Sequence, residues 1–127
     1  MTQKNPSSGG FDDAAEAMKS RLRTDLRPAM VAKDSLRVRV LRALIAAIDD
    51  AQAVPPGDQH ARYVVHAFGD RSAEVPRLQL AEEDVQRLLA HEAAARTTAG
   101  GEMERLGQND RAQDLSSEAA IIKSYLW

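Results

Sequence analysis

Cysteine is absent from the chain, which excludes a disulfide scaffold, thiol catalysis and cysteine-ligated metal sites. Aromatic residues are scarce, at 4%, so a core has to be built from Leu, Ile, Val, Ala and Met. No apolar run approaches the roughly 20 residues that span a bilayer. The opening "MTQKNPSSGGFDD" lacks the apolar centre of a signal peptide. A cytoplasmic protein with no membrane partner is expected. Strong net charge is missing too, and a balance of −2 does not suit a general nucleic-acid binder.

What charge there is lies unevenly. Residues 18 to 42 carry eight Lys/Arg against two Asp/Glu, a local excess of +6 that leaves −8 on the rest of the 127 residues. The two halves either neutralise each other within one bundle, present ordinary solvated faces, or give one face an attraction for phosphate or an acidic partner.

Outside residues 1–11 and 53–79 the apolar spacing is helical. Residues 1 to 11, with Pro6, Ser7, Ser8, Gly9 and Gly10, read as a disordered tail. Residues 12–127 read as one helical domain. Asp12 or Asp13 caps a first helix whose stripe is Ala15, Met18, Leu22, Leu26, Ala29 and Met30. Pro28 inside this run is expected to kink the helix or divide it in two. Asp34 caps a second helix that runs to about Ala51 and stops before "VPPGD". A third helix starts near Ala81, opens on three acids and ends at Gly107. Gly100 and Gly101 weaken it and offer a place for close helix approach. A fourth begins near Asn109 or Asp110, with Leu115, Ala119, Ile122 and Leu126 on one face.

Between the helical pairs, residues 53–79 form a long connection. "RYVVHAFGD" has strand-like composition and a small hairpin with "EVPRLQ" is one reading; an ordered crossover is the other. The fold class expected is all-α: two antiparallel helical hairpins, about four to five helices, joined by that connection.

Four charged residues fall on the apolar stripes when 100° is allotted per residue. Arg37 precedes Leu41 by one turn, Glu92 and Arg96 lie between Leu89 and Ala99, and Glu118 lies beside Leu115 and Ile122. Unpaired charges are strongly disfavoured inside a protein. An interhelical ion-pair network of Arg37, Arg96, Glu92 and Glu118 is therefore expected, with a polar pocket for a small anionic ligand as the alternative.

Catalytic signatures are missing. There is no phosphate-cradling glycine loop, no GxSxG and no HExxH. His60, His66 and Asp58 fit no standard metal spacing, and the serines have no triad context. No cofactor, no metal and no catalysis by this chain alone are expected.

Three stretches together resemble one family. "DLRPAMVAKDSLRVRVLRALIAAIDDAQAVP" is similar to the opening of YqeY-like proteins, matching at Asp25, Ala29, Met30, Ala32, Lys33, Asp34, Arg37, Leu41, Arg42, Leu44, Ala46, Ile48 and Ala51. "LAEEDVQRLLAHEAAAR" and "GQNDRAQDLSSEAAIIKSYLW" resemble its later motifs, so that Arg37, Glu92, Arg96 and Glu118 fall on motif positions. The resemblance spans roughly residues 20 to 127. It implies a multihelical fold shared with the tail of GatB, the subunit of the Asp/Glu-tRNA amidotransferase that holds misacylated tRNA. It further implies tRNA or an amidotransferase complex as partner, and a family description as a carbon–nitrogen ligase with glutamine as amido-N-donor.

The sequence departs from the family pattern at the end. The family continues past Y-L-P into a further helical subdomain, whereas this sequence stops at Trp127, so a short form is expected. Ala81 also replaces the usual capping threonine. Arginine outnumbers lysine 13 to 4, as in GC-rich bacterial genomes. Within this resemblance the nucleic-acid surface expected is Arg21, Arg23, Arg27, Arg39 and Arg42, which would touch phosphate and not bases. A protein–protein interaction module without a nucleic-acid role is the alternative, and an exposed Trp127 is consistent with a homodimer.

Overall fold

The computed structural model describes residues 13–53 and 77–127. Four helices follow in order: α1 (Ala14–Val31), α2 (Ser35–Gln52), α3 (Glu82–Arg105) and α4 (Asn109–Lys123). The protein is all-α and multihelical. α1 packs on α2 and α3 on α4, and the two hairpins meet through α2 against both α3 and α4 and through α1 against α3.

Each boundary has a local cause. Asp13 caps α1 by accepting from the Glu16 amide at 3.2 Å, and Asp34 caps α2 by accepting from the Arg37 amide at 3.1 Å. Such caps satisfy one of the orphan amides of a first turn. Ala81 has no acceptor side chain, so α3 is capped from the other direction: Asp84 Oδ2 takes the Ala81 amide at 3.1 Å.

α3 ends at Gly107, which has φ 78°. The Gln108 amide reaches back to the Met103 carbonyl and the Gly107 amide to that of Glu104, the paired closure of a Schellman turn. The α1–α2 corner repeats this closure without glycine. Lys33 holds φ 58°, its amide binds the Met30 carbonyl, and the Asp34 amide binds that of Ala29. Asp34 thus closes α1 with its backbone and opens α2 with its side chain.

Pro28 does not divide α1, which is continuous from Ala14 to Val31. The proline lies in the last turn, where three residues remain to be helical, and it is exposed. Only one backbone donor is lost, with less than a turn of helix left to follow.

One buried cluster draws on all four helices and the residues just after α4. It contains Ala15, Leu22, Val40, Leu41, Leu44, Ile48, Val85, Leu89, Ala93, Ile122 and Tyr125. Gly100 faces α4, where an added Cβ would meet the Ala112 carbonyl oxygen and Leu115 Cβ at 3.6 Å. That is ordinary contact, so the site accommodates an alanine.

The stretch "RYVVHAFGD" lies outside the described residues, as do Asp58, His60, His66, the tail 1–11 and the first half of "EVPRLQ". At the edges of the connection, Ala53 and Arg77 form an isolated antiparallel bridge. The Leu78 amide also donates to the Gln52 carbonyl at 2.8 Å. Residue 77 therefore returns to the point that residue 53 leaves.

Candidate functional site

Among the described residues, three clusters of charge tie one element to another, and part of the basic surface is left without ion pairs. The first cluster surrounds Glu118. This carboxylate is buried, with 6% of its side chain exposed. Its Oε1 accepts from Arg96 Nε at 3.1 Å, and its Oε2 from Arg39 Nη2 at 3.1 Å. Arg111 Nη1 stands 3.6 Å from the same Oε2. Arg96 is held further by Glu92, at 2.9 Å to the carboxylate and 3.1 Å to the carbonyl. The cluster thereby links α2, α3 and α4.

Three of the four stripe residues, Glu92, Arg96 and Glu118, meet here, and Arg37 does not. Arg37 pairs with its own N-cap, Asp34, at 3.4 Å, and 43% of its side chain is exposed. The reason is its position. It lies in line with Leu41, Leu44 and Ile48, but in the first turn of α2, next to the Asp34 carboxylate three residues earlier. Arg39 takes the place expected of it. It starts off the apolar stripe and reaches Glu118 because its long stem lets a distant guanidinium arrive.

The second cluster surrounds Lys19, which is 1% exposed. Its ammonium lies 2.6 Å from Asp49 and 2.8 Å from Glu16. Gln52 Nε2 donates to Glu16 at 3.2 Å, and Arg77 stands 3.8 Å from Glu16 and 3.6 Å from Asp49. The hydrogen bond from Lys19 is the main reason that both carboxyls sit below their ordinary pKa, against burial, which pushes them up. No sequence motif marks this group. The signal is position: Lys19 follows Ala15 by four and precedes Leu22 by three, so it stands on the same stripe as the core of α1.

The third cluster is Tyr125, Asp25 and Arg21. The Tyr125 hydroxyl donates to Asp25 Oδ2, and the Arg21 guanidinium lies 4.6 Å from the ring centroid, within cation–π range. Burial first, and then the Asp25 carboxylate, push the phenol up to about 12.

These ties decide what remains of the basic surface. Of the five arginines expected to face phosphate, Arg39 is paired with Glu118 through Nη2 and Arg21 stacks on Tyr125. Arg23, Arg27 and Arg42 are exposed and, among the described residues, form no ion pair. Lys33 lies at the α1–α2 corner with Met30 (48% exposed) and Val31 (81% exposed), whereas Arg23 stands eight residues before the end of α1, near enough to Asp49 to help lower its pKa. Arg42 Nη2 lies 3.9 Å from Met30 Sδ, which fixes α2's contribution against the end of α1.

Among the described residues no group of three His, Cys, Asp or Glu side chains is placed to hold a metal ion. None of their helices is long and apolar enough to cross a membrane. His91 is exposed and Trp127 is 74% exposed. No protein-family model matches the chain, and comparison with curated proteins and with solved structures returns no match.

Proposed function

We propose that this chain is a non-catalytic helical module that binds RNA through the exposed arginines of α1 and α2 and the corner that joins these helices, in a cytoplasmic setting. The observation that supports this is the surface left over once the ion pairs are assigned. Arg23, Arg27 and Arg42 have no carboxylate partner within ion-pair distance among the described residues, while every other arginine of residues 18–42 is engaged. Arg23 and Arg27 stand at i, i+4 on one helix. A like-charged pair at that spacing is unfavourable in the free protein, and a polyanion relieves it.

Lys33 adds a second support. A left-handed φ is cheap for glycine and costs a lysine on the order of 1 kcal/mol. Strain of this kind persists where a side chain has a use. Here it places a cation where α1 turns into α2, the two helices that carry the unpaired arginines. Contacts from arginine and lysine to phosphate carry no base information, so binding is sequence-independent and falls steeply with salt.

The resemblance to YqeY-like proteins and the GatB tail favours tRNA, alone or in an amidotransferase complex, as the RNA. The test is fluorescence anisotropy of bulk tRNA with the purified chain over a salt series, with a generic RNA duplex as control. Saturable, salt-sensitive binding that prefers tRNA supports the reading, and no binding at low salt overturns it. The exposed Met30 and Val31 favour a second reading, in which the corner docks on a protein partner with an acidic rim and the chain has no nucleic-acid role. Binding to neither RNA sample, with retained binding to an acidic partner protein, separates the two.

A further inference from the structure

The Glu118 cluster has more cation than it needs. Three guanidiniums, Arg39, Arg96 and Arg111, converge on two carboxylates, Glu118 and Glu92. Arg96 is largely covered, with 17% of its side chain exposed, and is used on both carboxylates. Arg39 and Arg111 differ from it. Their side chains are 54% and 49% exposed, and both reach one oxygen, Glu118 Oε2. Among the described residues neither has another ion-pair partner. Each guanidinium carries five N–H donors, and most of them are not used on Glu118.

This arrangement holds two cations side by side at the surface. Glu118 is pinned from behind by Arg96, so its carboxylate cannot swing out to follow either of them. Arg39 comes from α2 and Arg111 from the first turn of α4, so their planar forks approach from different helices. A planar carboxylate is satisfied by a single fork. A tetrahedral oxyanion offers oxygens in several directions and suits two forks from different directions better. An anion also offsets the one excess positive charge and relieves the repulsion between the pair.

We infer that Arg39 and Arg111, backed by the Arg96–Glu118–Glu92 relay, form a seat for a terminal phosphate group. The ligand is a phosphate monoester or free phosphate, and the seat is separate from the α1–α2 corner. The inference does not depend on the RNA reading, because the surfaces share no residue.

The experiment is a titration of the full chain with inorganic phosphate at constant ionic strength, read from the arginine Nε–Hε resonances by NMR. Saturable shifts of Arg39 and Arg111 are expected, with malonate at least about tenfold weaker. Arg39→Gln and Arg111→Gln are each expected to weaken phosphate binding about tenfold, the loss of charge-assisted hydrogen bonds. Both positions are half exposed, and the wild-type shifts stand as a readout should a variant unfold.

A 5′-phosphorylated oligonucleotide and its unphosphorylated twin separate the sources. Tighter binding of the phosphorylated strand, lost in Arg111→Gln, assigns the seat to a strand end. Binding of inorganic phosphate without that preference assigns it to a small ligand. The combined variant Arg23→Gln, Arg27→Gln, Arg42→Gln is expected to leave phosphate binding unchanged, so failure of the corner and failure of the seat are distinguishable. Shifts no larger than chloride produces, or malonate binding equal to phosphate, overturn the inference.

Discussion

The hydroxyl of Tyr125 donates a hydrogen bond to the carboxylate of Asp25, joining residues one hundred positions apart. Tyr125 lies just beyond α4 and Asp25 in the fourth turn of α1, so this bond, with the Arg21 guanidinium over the ring, ties the residues after α4 to α1. The phenol is raised to about 12 from 10. The fold therefore favours the protonated tyrosine. Its contribution is complete below pH 10 and is lost as pH rises through 12. Wild-type stability to urea is expected to fall across that window by on the order of 2 kcal/mol. Tyr125→Phe is expected to be less stable at pH 8 and to lose this alkaline step. An unchanged step in the phenylalanine variant would assign it to another group.

The Glu118 cluster and the Arg37–Asp34 pair separate buried from exposed electrostatics. Glu118→Ala leaves three guanidiniums around an empty position and is expected to cost about 3 kcal/mol. Arg37→Leu removes only a half-exposed pair and is expected to change stability by less than about 1 kcal/mol. Chemical denaturation of both variants checks this, and equal costs would contradict the placement of Arg39 in the cluster.

Lys19 sets the acid limit. Glu16 and Asp49 both ionise more readily in the fold, chiefly through their bonds to Lys19. Their contribution is complete above their ordinary values of 4.5 and 3.8 and is lost as pH falls through the lowered ones. Lys19→Met keeps a buried stem of similar length and removes the ammonium. Urea midpoints measured from pH 6 down to pH 2 are expected to fall less steeply in the variant than in the wild type.

Lys33 gives a prediction of opposite sign. Lys33→Gly relieves the left-handed backbone at φ 58° and is expected to stabilise the chain by about 1 kcal/mol, with both turn hydrogen bonds kept. The RNA reading adds that the same variant binds tRNA more weakly, since a corner cation is lost. A rise in Tm with weaker binding is the expected pair of results.

Much of the helical pattern was legible because each boundary has a local chemical cause. Asp13, Asp34 and Gly107 act through their own side chains or backbones, and their roles are written in residue type and position. Pro28 does not divide α1 because its cost depends on how much helix follows it, which is a matter of place within the element. The site was only partly legible. Glu92, Arg96 and Glu118 occupy stripe positions and do meet, because buried charge has to be matched. Arg37 occupies one as well, yet its N-cap carboxylate is closer than anything across the bundle. Arg39, Arg111 and Asp49 join their clusters from outside the main stripes, and only the crossing of the helices brings them in. The order of the charges along the chain does not specify that crossing.

The central claim is that Arg23, Arg27 and Arg42 are free to meet phosphate. The most direct measurement is the salt dependence of tRNA binding for the wild type and for the variant in which all three are glutamine. The account predicts that the variant binds more weakly and that the slope of log K against log salt becomes shallower by about two to three, roughly one for each phosphate contact removed. Equal slopes in the two proteins, or no tRNA binding by the wild type at low salt, would contradict it.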